Sequence, residues 1–169
     1  MTKFLFRRRQ RRHWRSGWLW GVGLLLAGVA CNASAQEAQI SPNQARALAE
    51  ALRLAAPQTG IANDGLYSEW KIKPGNIARW SKRCIGDELT PTLFESNPGI
   101  AGQVVECVMG DVLRDQYRAS GNDEPVAVRR AASWWMTGDP EQYDSGSTAA
   151  YTEKVLSFYR TQLGAVQAQ

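Results

Sequence analysis

Beyond residue 40 the apolar positions recur at three- and four-residue spacing, the period of an amphipathic helix rather than the alternation of a strand. Ser41-Pro42-Asn43-Gln44 reads as a capping box with proline at the first helical position. Ala45, Leu48, Ala49, Leu52, Ala55 and Ala56 then mark one buried face, stopped by Pro57. Residues 57–75 differ in kind. Gly60, Asn63, Asp64, Gly65, Pro74 and Gly75 punctuate a short alternating stretch, Leu66 to Lys73, which predicts a small hairpin or extended loop.

Helical period resumes with Asn76 as cap of residues 77–84, ending near Gly86. Thr90-Pro91 opens a short turn of helix carrying Leu93 and Phe94. Asn97-Pro98 opens a long helix with Ile100, Ala101, Val104, Val105, Val108, Val112, Leu113 and Tyr117 inward, closed by Gly121. Glu124-Pro125 starts another, through Val126, Val128, Ala131, Ala132 and Trp135 to Gly138. The last begins near Ser147 and carries Tyr151, Val155, Phe158, Tyr159 and Leu163. The pattern predicts one small, mainly α domain over residues 36–169, with an irregular lobe after its first helix.

Residues 1–16 are polar and basic, and residues 17–30 form an apolar run of 14. Such a run is short for a bilayer core of about 30 Å. Ala33-Ser34-Ala35 follows, with small residues where a signal peptidase reads them. The three parts predict a secretory signal over residues 1–35, cleaved before Gln36, and a periplasmic or secreted mature chain. Membrane contact is then expected through the signal alone. Cys31 after Gly28-Val29-Ala30 is a weaker lipoprotein alternative, because leucine is missing at Gly28. The arginine run lacks the apolar pair that twin-arginine export wants. An uncleaved anchor would leave the same domain outside the cytoplasm.

Charge changes the picture once it is located. The whole chain carries a formal +4, yet residues 1–35 hold seven cations and no acid, so residues 36–169 are net −3. A mildly acidic domain is a poor partner for nucleic acid, whose affinity is driven by cations. The single histidine, His13, also lies in the leader. The mature chain therefore has no imidazole for a Ser-His or Cys-His relay or for a metal, and no metal or organic cofactor is expected. Cys84 and Cys107 remain as one even pair, for which the default in an oxidising compartment is a disulfide.

Several short motifs stand in order: Trp70-Lys71-Ile72-Lys73-Pro74-Gly75-Asn76-Ile77-Ala78-Arg79-Trp80, then Gly86 and Leu89-Thr90-Pro91 with Phe94. After the long helix come Ala131-Ala132-Ser133-Trp134-Trp135-Met136-Thr137-Gly138 and Tyr151 with Lys154-Val155. The series resembles the lysozyme-like catalytic domain of lytic transglycosylases, in the branch found in phage structural proteins. There an aromatic-Gln-apolar strand leads into an NIPxW helix, an LTPxxF turn, an AAxxWFTG helix and a YVxKV terminus. The likeness spans about residues 65–160. It implies a lysozyme-like α+β fold, peptidoglycan glycan strands as partner, and cleavage by a single protonated glutamic acid. That acid protonates the glycosidic oxygen before the 6-hydroxyl of the muramic sugar closes onto the anomeric carbon, with no obligatory second carboxylate.

Position nominates Glu50, 26 residues before Asn76 and the only Glu of the first helix. Glu69, beside Trp70, is the second candidate. By the resemblance Trp135 and Trp70 line the sugar site, while Lys71 stands where the family has a substrate-binding Gln. Lysine donates hydrogen bonds to a glycan hydroxyl or carboxylate but accepts none. Trp80 falls on the inner face of its helix and reads as core, whereas neighbours Trp134 and Trp135 point about 100° apart. Two departures bear on chemistry. Ala51-Leu52-Arg53-Leu54 continue the helix where relatives break it with Ser or Gly. Arg46 and Arg53 stand four and three residues from Glu50, a spacing for ion pairs that hold a carboxylate charged. The sequence thus carries two readings: a lytic transglycosylase, or a non-catalytic glycan- or protein-binding domain of the same fold.

Overall fold

Ser41 Oγ accepts from the Gln44 backbone N–H while the Gln44 side chain accepts from the Ser41 N–H, so the first helix starts on the expected capping box. This helix, α1 (Pro42–Ala55), buries Leu48 and Leu52 completely. Each such side chain contributes about 1.5–3 kcal/mol of transfer free energy. The computed structural model describes residues 39–58, 60–61 and 64–168, all within the compact unit Gln36–Gln169. The expected signal segment, its expected cleavage site and Cys31 lie outside the described residues.

The remaining helices are α2 (Pro74–Ile85), α3 (Pro91–Ser96), α4 (Pro98–Ala119), α5 (Glu124–Thr137) and α6 (Gly146–Gln167). A 3₁₀ turn, Pro140–Gln142, joins α5 to α6. Helix makes up 73% of the described residues, and no strand occurs among them. The α1 helix packs on α6 and α4, and α5 on α4 and α6, enclosing Val104, Val108, Leu113, Val128, Val155 and Tyr159. No helix of the described residues is long and apolar enough to cross a membrane.

The lobe after α1 is an irregular turn. Tyr67 and Ile72 exchange both backbone hydrogen bonds as one isolated antiparallel bridge. Three differences from the sequence pattern have local causes. Helix α2 starts two residues before Asn76, since Pro74 at its first position fixes φ and Lys73 becomes the cap. Asn76 instead accepts from Arg79 Nη2 at 2.8 Å. Leu93 is 51% exposed because α3 has one buried face, which Phe94 takes. Ile100, expected inward, is 36% exposed in the first turn of α4, where Ala101 holds the core position. The disulfide is as expected: Cys84 of α2 is bonded to Cys107 of α4, with Cα atoms 6.0 Å apart.

Candidate functional site

Three tryptophans meet between α2 and the end of α5. Trp80 lies 5.5 Å from Trp135 and 6.3 Å from Trp134, ring centre to ring centre, with planes tilted 31° and 29°. Offset aromatic contacts of this kind add about 0.5–1.5 kcal/mol each beyond burial. Trp80 is buried, as its helical position suggested, but it also forms a floor. Trp134 and Trp135 are both half-buried, so both flank the opening rather than dividing into core and cleft.

The end of α5 is fixed by a local lock. Gly138 takes the left-handed conformation (φ 83°) and its N–H bonds to Trp134 O. Buried Ser133 donates to Asp139 O at 2.6 Å, and Thr137 donates back to Ser133 O. Arg130 forks onto both carboxylate oxygens of Glu141 and donates to Gln116, tying the 3₁₀ turn to α4 and α5. These contacts hold the tryptophans in place and leave the groove face free.

The groove encloses about 430 Å³, lined by Trp70 and Lys71 of the lobe, by Lys73 at the cap of α2, and by Asn76, Arg79 and Trp80 of α2. Trp134, Trp135, Met136 and Tyr151 complete it. Trp70 is 7% exposed, and its indole N–H donates to Ala49 O at 2.7 Å, pinning the lobe to α1. Lys71 adopts a left-handed backbone (φ 55°), as does Ser68 (φ 62°), a conformation that costs roughly 1–2 kcal/mol for a residue with a side chain. The Lys71 ammonium is bound to Asp64, 3.2 Å away and nearly buried. Burial pushes the Tyr151 phenol above its ordinary value, so it stays protonated and able to donate.

No carboxylate is among the described residues that line this groove. Glu50 lies on the other side of Trp70, in a cavity of about 300 Å³ shared with Glu106 and Gly102. Arg53 binds it through two bonds, Nε to Oε2 at 2.9 Å and Nη2 to Oε1 at 2.5 Å. The same arginine reaches Glu69 Oε2 at 3.1 Å, with Glu69 itself 61% exposed. Arg46 is engaged with Glu106 instead, at 3.6 Å. The hydrogen bond to Glu50 and the neighbouring carboxylate charges raise Arg53 against the opposing effect of burial, so the guanidinium stays charged.

Trp70, Lys71 and Trp135 thus come together in one groove, while Glu50 and Glu69 share an arginine outside it. Lys73, Arg79 and Tyr151 were not singled out from the sequence. A signal existed for the first two: residues 71–79 contain three cations and no acid, although residues 36–169 are net acidic. Among the described residues no cluster of His, Cys, Asp and Glu is arranged to hold a metal ion. Comparison with known protein families, curated proteins and solved structures finds no match to this chain.

Proposed function

We propose that this is an exported, peptidoglycan-directed protein of lysozyme-like fold that holds glycan strands in the aromatic groove without cleaving them. The observation that carries this reading is the separation of aromatics from acid. Sugar rings stack on flat apolar faces, which Trp134, Trp135 and Trp80 supply around one opening. A general acid for glycoside cleavage must be protonated and within hydrogen-bond reach of the glycosidic oxygen. Glu50 is bound through both carboxylate oxygens by Arg53 and does not line the groove.

The lytic transglycosylase reading keeps one supporting observation, that Glu50 and Trp70 line a common cavity. Digestion of purified sacculi with the native protein and with Glu50→Gln separates the two. Glycan retained by the protein with no 1,6-anhydro ends released supports binding without turnover. Anhydro products from the native protein that vanish in Glu50→Gln overturn it in favour of the enzyme. Equal release by both also overturns it, and moves the acid to Glu69.

A further inference from the structure

The charges along the groove are one-sided, and this adds a specificity to the glycan reading on which it rests. The mature chain has more acids than cations, yet the groove lining holds Lys71, Lys73 and Arg79 and, among the described residues, no acid. These three cations are not equivalent. Lys71 is neutralised in place by Asp64. Lys73 and Arg79 are exposed and form no ion pair among the described residues, and Asn76 accepts from Arg79 Nη2 at 2.8 Å, which orients the guanidinium. Two free cations thus stand on the α2 rim, with Trp80 below them and Trp135 5.5 Å from Trp80.

We infer that the groove selects a carboxylated saccharide: a strand whose amino sugars carry an ionised lactyl carboxylate on the ring. The tryptophans hold the sugar faces, and Lys73 with Arg79 holds the carboxylate that projects beyond the ring edge. Arginine suits this position because its planar fork matches a carboxylate, and a charge-assisted bond is about twice as strong as a neutral one. A neutral strand of the same sugars stacks equally well and gains nothing from the rim. A stem peptide is joined through that same carboxyl as an amide and brings carboxylates of its own. The strand selected is therefore a peptide-free one, and the probe must be free of peptide.

The test uses the purified exported protein with its disulfide intact. Three saccharides are titrated calorimetrically: peptide-free glycan from amidase-treated sacculi, the same glycan with its carboxylates converted to methylamides, and a chitin oligomer. The native protein is expected to bind the carboxylated strand at least about ten-fold more tightly than either neutral one, a preference that shrinks with added salt. Lys73→Gln with Arg79→Gln is expected to bind all three at the neutral level, its melting curve unchanged because both side chains are exposed. Equal native affinity for carboxylated and amidated strands, or a preference that survives in the double variant, overturns the selectivity and leaves glycan binding standing. No binding to any of the three overturns the glycan reading itself, and the selectivity with it.

Discussion

Arg53 grips Glu50 from one helical turn away on α1, two nitrogens to two oxygens, and the carboxylate is not part of the groove lining. Both side chains are about one-third exposed, so the pair contributes no more than about 1 kcal/mol to stability. Its consequence is chemical. Glu50→Gln is expected to leave glycan affinity within about two-fold of native and the melting temperature nearly unchanged. Calorimetric titration with peptide-free glycan checks this, and a ten-fold loss of affinity would put Glu50 in contact with the sugar.

Trp135 makes the opposite prediction. It is half-buried against Trp80 and offers the groove its exposed ring. Truncation to alanine removes a stacking face at the centre of the site, where aromatic anchors are worth at least about 2 kcal/mol. The expected effect is a Kd raised about thirty-fold for charged and neutral strands alike. Intrinsic fluorescence follows both titrations. A loss confined to the carboxylated strand would contradict a stacking role.

Much of this helical frame is legible in the sequence because its boundaries are chemically marked. Proline at the first helical position and the glycines Gly86 and Gly138 after α2 and α5 set limits that the packing respects. The site was less legible. Trp135, Trp70 and Lys71 could be named because each falls in a motif. Whether Glu50 meets them depends on the side of Trp70 it occupies, and that follows from one long-range hydrogen bond, Trp70 Nε1 to Ala49 O, which no local pattern encodes. Asp64 as the partner of Lys71 depends likewise on the left-handed turn at residues 68 and 71.

The Cys84–Cys107 bond ties the helix that carries Trp80 to the central α4. Its sequence separation of 23 corresponds to about 3 kcal/mol of stabilisation in the chain-entropy account. Replacing both cysteines by serine is expected to lower the melting temperature by about 10 °C in a domain of this size. Thermal melts of the variant, and of the native protein with and without a thiol reductant, should agree. An unchanged melting temperature would show that packing alone holds α2 in place.

A final prediction concerns acid. Glu124 stands in the first turn of α5 and collects donors from three other helices: Tyr159 Oη at 2.6 Å, Gln44 Nε2 at 3.0 Å, and Tyr117, which also accepts from Gln44. Burial works to raise this carboxyl, but the hydrogen bonds from Tyr159, Gln44 and Tyr117 outweigh it and hold it below its ordinary value of 4.5. Burial, and then the bond to Glu124, push both tyrosines upward, so they remain donors throughout the working range. A folded carboxyl that binds its proton less readily than the unfolded one stabilises the fold fully above the ordinary value and loses that contribution as pH falls through the depressed one. Glu124→Gln removes the charge while keeping the shape, and costs about 1–2 kcal/mol near neutrality, where charge-assisted bonds are lost. The gap between native and variant in denaturant unfolding is therefore expected to narrow steadily from about pH 5 to about pH 3. A gap that stays constant or widens over that interval would mean that Glu124 is not ionised in the folded state, and that the four side chains form a neutral network.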